Sequence, residues 1–205
     1  MWSSLYKLTA DEHLKPFRLV GGTALSLQCG HRISIDIDLF TDSAYNSINF
    51  EYIDERIKAM FPYTETAYVG NRSMGKSYYV GEDSANLVKL DFYYTDTYVF
   101  PELEIEGIRM ASIEEIAAMK MEVIGHGGRK KDFWDIHELL NSISIHQIFN
   151  YYFQRYPYGH SKMQLIENLT NFEQADEDFD PICLRQKYWE LIKLDLSELS
   201  ERAFK

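Results

Sequence analysis

Asp36 and Asp38 stand one residue apart in the run Ser34-Ile35-Asp36-Ile37-Asp38-Leu39. Ile33, Ile35, Ile37 and Leu39 share one parity, and Ser34, Asp36 and Asp38 share the other. A period of two is the signature of a half-buried strand. The pattern predicts four aliphatic side chains facing the core and two carboxylates side by side on the opposite face. Like charges held that close repel unless a cation sits between them. An oxygen-only carboxylate set suits Mg²⁺.

Further candidates follow along the chain. Gly21-Gly22 links an extended piece over 17–20 to a short helix over 23–28, with Gly30 placed to cap it. In 86–94, Val88, Leu90 and Phe92 alternate with Lys89 and Asp91, so a third carboxylate stands on a polar strand face. On spacing alone it is either a solvated strand residue or a neighbour of the Asp36/Asp38 pair. Lys120 falls on the apolar stripe of a helix whose face reads Ile113, Ile116, Ala117, Val123 and Ile124. Its amine either snorkels outward or points into an acidic or phosphate-filled cleft. Arg129-Lys130-Lys131 is the most basic spot, and Asp132 and Asp135 follow at helical i, i+3 spacing.

Paired strand carboxylates, a third acid and a Gly-Gly turn into a helix point to phosphoryl or nucleotidyl transfer. Such acids hold divalent metal, which bridges nucleotide phosphates and helps deprotonate an attacking hydroxyl. The Gly-Gly turn lets backbone amides approach phosphate, and the helix N-terminus adds its dipole. Arg32 and Lys120 are candidates to balance charge on leaving pyrophosphate. The chain has no G-x-x-x-x-G-K-[ST] loop, G-x-G-x-x-G fingerprint, H-E-x-x-H or G-x-S-x-G, and no Cys/His spacing suggests zinc.

The elements that must position these residues are readable in outline. A Thr9-x-x-Glu12 pattern predicts a short helix start, and 51–61 an amphipathic helix bearing Ile53, Ile57, Met60 and Phe61. Tyr-, Val- and Phe-rich segments near 67–69, 77–80 and 86–94 predict a β meander. Ser112-x-x-Glu115 opens a helix to about 124, broken by Gly125-His126-Gly127-Gly128, and another spans 132–140. Helices are predicted over 145–156, 162–169 and 184–200, with 173–180 an acidic solvated linker. A boundary near residue 110 thus divides an α/β part from a helical part.

Composition bounds the rest. The 205 residues are 45% apolar and 15% aromatic, enough for a real core, with a formal net charge of −11. That charge argues against a general nucleic-acid coat and an anionic membrane surface. No run of about 18 apolar residues predicts a membrane span, and the first residues lack signal-peptide form. Cys29 and Cys183 have no metal or redox spacing, which fits a reducing cytoplasm. The Asn168 sequon is read as chance.

Gly21-Gly22, then Asp36-Ile37-Asp38-Leu39, then Asp91 resembles the nucleotidyltransferase superfamily of the DNA-polymerase-β type. The blocks GGTAL, HRISIDIDLF, VKLDF and MKMEVIGHGGRKKDFWDIHEL, in that order, resemble the AbiEii/AbiGii toxin family over about residues 17–140. The resemblance implies an α/β (α+β) fold with a mixed sheet flanked by helices. A catalytic core over 1–110 would be followed by a helical region, 111–205, completing the active-site cleft. Family members often carry a longer helical lead-in before the Gly-Gly strand.

The implied activity is transfer of an NMP from an NTP to an acceptor hydroxyl, with Mg²⁺ or Mn²⁺. Asp36, Asp38 and Asp91 would bind metal, with Asp91 also the base. Gly21, Gly22, Thr23, Arg32, Ser34, Lys120 and Lys131 would bind nucleotide. Asp135 would stand behind the pocket and orient Lys120 or Lys131. Family acceptors are RNA, including tRNA 3′ ends, or protein. Members are bacterial or archaeal toxins of toxin–antitoxin or phage-defence loci, with a cognate antitoxin as partner. Segment 120–131, with Glu122 against four Lys/Arg, is the one local basic patch for RNA. The other readings are a nucleotide-binding regulator without turnover and an antitoxin-binding interaction module.

Overall fold

The computed structural model, which describes residues 1–67 and 74–203, carries seven strands in one mixed sheet. They are β1 (Arg18–Val20), β2 (Ile37–Thr41), β3 (Tyr63–Ala67), β4 (Gly75–Gly81), β5 (Leu87–Tyr94), β6 (Glu102–Ile105) and β7 (Ile108–Ala111), in the order β3-β4-β5-β2-β1-β7-β6. β2 runs parallel to β5 and β1 parallel to β7, and the remaining neighbours are antiparallel. Helices α1 (Trp2–Thr9), α2 (Gly21–Cys29) and α3 (Phe50–Met60) accompany them. The contacts divide the chain into one unit of Met1–Ala24 with Ser34–Ala111 and a second of Leu25–Ile33 with Ser112–Lys205.

Alternation explains the first unit's core. Leu90 and Phe92 of β5 and Ile37 and Leu39 of β2 are buried, while Asp91 and Asp38 between them are not fully covered. Phe17 meets Phe92 edge-on at 5.0 Å, and Ile53 and Ile57 of α3 are buried on its inner stripe. Asn49 caps α3, accepting the N–H groups of Glu51 and Tyr52.

Several sequence expectations need correction. β2 begins at Ile37, so Ile33 and Ile35 do not join the core and are 45% and 61% exposed. Register with β5 starts at Ile37↔Leu90, whereas Ile33 N–H donates to the carbonyl of Ile182 (2.9 Å) within the second unit. Thr9 ends α1 instead of opening a helix; Asp11 caps the 3₁₀ turn Glu12–Leu14 by accepting from His13 N–H. β6 and β7 were not foreseen, and the predicted strand residues Tyr68 and Val69 lie outside the described residues.

The second unit is helical: α4 (Ile113–Gly125), α5 (Lys130–Leu139), α6 (Ile145–Arg155), α7 (Lys162–Leu169), α8 (Glu173–Asp176) and α9 (Trp189–Ala203). α4 packs against α5, α6 and α7. Its buried face carries Ile116, Ala117, Lys120, Met121 and Ile124, whereas Val123, expected inward, is 42% exposed. Ser112 caps α4 by accepting Glu115 N–H, but the Glu115 carboxylate is ion-paired with Arg155 of α6, both side chains fully buried. The 173–180 segment is not a free linker. Asp176 accepts from Trp189 Nε1 (2.6 Å) and pairs with Lys193 (2.9 Å), and Asp178 accepts Lys130 N–H (3.0 Å). α9 starts five residues later than the predicted 184. Trp189, stacked on Trp134 at 6.3 Å, lies in its first turn.

Removing one partner of a buried ion pair strands the other charge, whereas apolar replacement of both is often tolerated. Glu115→Ala is therefore expected to lower unfolding free energy by about 3–5 kcal/mol in urea titrations. Joint replacement of Glu115 and Arg155 by Met should recover most of that loss. A single variant as stable as the parent would remove the pair from the list of interactions that hold this unit.

Candidate active site

The first unit gathers three carboxylates around one lysine. Val20 at the end of β1 pairs with Asp38 of β2, and Asp38 pairs with Asp91 of β5. Neighbouring strands therefore place the Asp38 and Asp91 side chains on the same sheet face. Asp36 lies just before β2, half-buried. Asp91 Oδ2 accepts from Lys89 Nζ at 2.6 Å, while its Oδ1 is buried with no hydrogen-bond partner among the described residues. Burial would depress the Lys89 ammonium's pKa, but Asp91, Asp38 and Asp36 together hold it above the ordinary lysine value. Lys89, two residues from Asp91 on the same strand face, is a site residue the sequence reading passed over.

Gly21 closes the other side. It sits at φ +68°, the left-handed region that favours glycine, and a Cβ there would meet Asp38 Oδ2 at 2.6 Å. α2 starts at Gly21, so its first-turn N–H groups have no partner within the helix. Thr23 is buried and turned inward: its hydroxyl donates to the carbonyl oxygen of Asp36 and lies 3.0 Å from Ser34 Oγ. Thr23 and Ser34 thus hold the loop that presents Asp36. Beside Lys89 and Asp91 opens a cavity of about 480 Å³ lined also by Phe40, Tyr79 and Tyr93.

Oxygen-only donors, two of them in register on adjacent strands, and an orphaned buried oxygen on Asp91 fit a hard divalent cation. The lysine already held there shows that the carboxylates accept positive charge.

The second unit holds the other predicted residues as a buried charge network. Lys120 Nζ lies 2.6 Å from Asp132 Oδ1 and 2.7 Å from Asp135 Oδ2. Arg32 grips Asp135 bidentately, through Nε (2.6 Å) and Nη2 (2.9 Å), and His31 Nε2 is 2.7 Å from the same carboxylate. Asp132 also accepts Arg129 N–H at the start of α5. Lys120 thus does not snorkel; its amine lies between Asp132 and Asp135. Arg32, the candidate for balancing pyrophosphate charge, is buried in this network. Lys131 is half-buried beside Asp132 in the chain.

Burial alone would raise the Asp135 and Asp132 carboxyls and lower Lys120. The mutual charges, with Arg32 and His31 bonding Asp135, overcome it, so both acids titrate below and Lys120 above their ordinary values. Acids depressed on folding stabilise the protein above about pH 4 and lose that contribution as pH falls. Unfolding free energy should therefore decline on acidification below about pH 4. Asp135→Asn should cost about 3 kcal/mol or more at pH 7 and flatten the acid limb, measured by urea unfolding across pH. An acid limb identical to the parent's would contradict the assignment.

Among the described residues, no helix is long and apolar enough to cross a membrane. A protein of Aquifex aeolicus described as uncharacterized is 27% identical over 191 residues, covering 86% of this chain and 82% of its own. The fold is similar to that of a candidate nucleotidyltransferase from H. pylori (TM-score 0.62, 22% identity, 98% of this chain and 90% of that one). It is also similar to MenT4, a nucleotidyltransferase toxin from Mycobacterium tuberculosis (TM-score 0.58, 13% identity, 96% and 83%). These structures share the mixed sheet with helices, a nucleotidyltransferase-type fold. The model of the nucleotidyl transferase AbiEii toxin family, of type IV toxin–antitoxin systems, matches residues 3–204, and this chain belongs to that family.

Proposed function

We propose that this toxin-family nucleotidyltransferase is metal-dependent and moves an NMP from an NTP to an acceptor hydroxyl. The observation that carries the proposal is the Asp38/Asp91 pair, in register on parallel strands with one Asp91 oxygen buried and unpartnered. Asp36, Asp38 and Asp91 would hold Mg²⁺ or Mn²⁺, which when bound offsets phosphate charge and acidifies the attacking hydroxyl.

The chain's own residues then act on substrate. The Gly21 and Gly22 amides receive phosphate oxygens, a close approach that the missing Cβ at Gly21 permits. The acceptor oxygen bonds the α-phosphorus, the bond to the β-phosphate bridging oxygen breaks, and pyrophosphate leaves. Asp91 takes the acceptor proton. Thr23 and Ser34 position Asp36. Tyr79, Tyr93 and Phe40 offer aromatic faces suited to a base beside Asp91. Lys120, with Asp135 as its positioning partner, is carried into the proposal as a group the reaction requires. The acceptor is RNA, a tRNA 3′ end included, or protein. The setting is the bacterial cytoplasm, in a phage-defence or toxin–antitoxin locus with a cognate antitoxin.

Incubation with each α-³²P-labelled NTP, Mg²⁺ and total cellular RNA, followed by a denaturing gel, is expected to label RNA or protein. The label should vanish in Asp36→Ala/Asp38→Ala and fall at least about 100-fold in Asp91→Asn. Asp135→Ala should lose most transfer as well. NTP binding without any labelled product would replace transfer with nucleotide sensing.

Lys89 supplies a separate check. As it already offsets the three carboxylates, Lys89→Met should enlarge the rise in Tm that Mn²⁺ produces in thermal melts. An unchanged or smaller rise would mean that metal does not compete for that position.

A further inference from the structure

Outside both clusters described above, the second unit brings together two histidines and a carboxylate that the transfer chemistry does not use. Glu122 and His126 lie four residues apart at the end of α4, hence on one face, and His160 comes from the connection just before α7. His126 Nε2 is 3.1 Å from Glu122 Oε1 and 3.4 Å from His160 Nε2. One ligand atom from each residue lies within 4.8 Å of the other two. A tetrahedral ion with bonds of about 2.0–2.1 Å separates its ligand atoms by about 3.3–3.4 Å. Little movement is needed to seat one.

We propose that Glu122, His126 and His160 form a second metal site, selective for a borderline transition ion of the Zn²⁺ type. Two imidazole nitrogens and one carboxylate oxygen are a zinc-type donor set with an open fourth position. It differs in kind from the oxygen-only Asp36/Asp38/Asp91 group, which suits a hard ion.

The surroundings are built to hold these ligands. Tyr152 is fully buried. Its hydroxyl donates to Glu122 Oε2 (2.7 Å), leaving Oε1 for the ion, and accepts the main-chain N–H of His160 (2.7 Å). One side chain therefore orients two ligands, the usual task of groups behind a metal site. Gly125 makes room for the His160 ring: a Cβ there would meet His160 Cδ2 at 2.4 Å. The Gly125 carbonyl accepts from Asn168 of α7 at 2.8 Å, fixing the end of α4 to the helix that His160 precedes. The negative end of the α4 dipole also favours a cation at this position. A bound ion would staple α4 to the connection between α6 and α7.

Tag-free, full-length chain titrated with Zn²⁺ against a chromophoric chelator is expected to bind one equivalent tightly. Binding should persist in Asp36→Ala/Asp38→Ala, weaken at least about 30-fold in His126→Ala/His160→Ala, and weaken about 10-fold in Tyr152→Phe. His126 is exposed and His160 half-buried, so the double variant should fold, as circular dichroism will check. Co²⁺ should give the intense visible bands of a four-coordinate site in the parent and not in the double-histidine variant. Absence of micromolar Zn²⁺ binding by the parent, or equal binding by the double-histidine variant, would overturn the proposal.

Discussion

A carboxylate can be taken out of water only where positive charge or hydrogen-bond donors meet it. In a chain with a net charge of −11, that constraint decides where the cations go. Lys89 answers three aspartates in the first unit. In the second, Lys120 and Arg32 balance Asp132 and Asp135, Arg155 balances Glu115, and Lys187 lies 2.7 Å from Glu138. Apart from Lys89 and Asp91, which share β5, these pairs join different segments of the chain, so charge pairing and apolar packing specify the same arrangement. Such pairs add less stability than their Coulomb energy suggests, because desolvation offsets most of it. Their strength is asymmetric: intact they are close to neutral, and broken they are costly.

This pairing also marks how much of the site could be read from sequence. Asp38 and Asp91 fall on polar strand positions because parity is local, whereas Asp36, expected on the same strand, lies just before β2. Lys120 was recognised as a lysine on an inward stripe, but spacing alone left two fates open. What resolved it was Asp132 and Asp135 twelve and fifteen residues on, a tertiary fact. Arg32 is a candidate on charge grounds to balance pyrophosphate, and Thr23 a phosphate contact that the family resemblance implies. In the fold they are buried and bonded to Asp135 and to the Asp36 loop.

Errors in the fold came from the same limit. Ile33 and Ile35 continue the alternation of Ile37 and Leu39, yet periodicity cannot tell which residues find a ladder partner. Here residues 32 and 33 meet the segment around Cys183 and Ile182 instead. β6 was missed because its alternation, Glu102-Leu103-Glu104-Ile105, is only four residues long and all four are exposed. The acidic stretch 173–180 looked like solvated linker by composition, although Asp176, Asp178 and Asp180 each find a donor in Trp189, Lys193 or Lys130. The His126/His160 pair had no motif spacing because its members are thirty-four residues apart.

Burial of the cations bears on how an acceptor is held. Segment 120–131 is the most basic by count, with four Lys/Arg. Lys120 is spent on Asp132 and Asp135, and Lys130 is buried against Asp180 and the Trp189 ring. Arg129 is exposed but lies 3.7 Å from Asp132, and Lys131 is half-buried, so the segment offers too few cations for the many phosphate neutralisations that give tight, sequence-independent nucleic-acid binding. An RNA acceptor would therefore be gripped by a small number of directed contacts near its reacting end, and its binding would depend only weakly on salt. A chain with a net charge of −11 repels the length of a strand, so a few directed contacts would favour a terminus over an internal stretch.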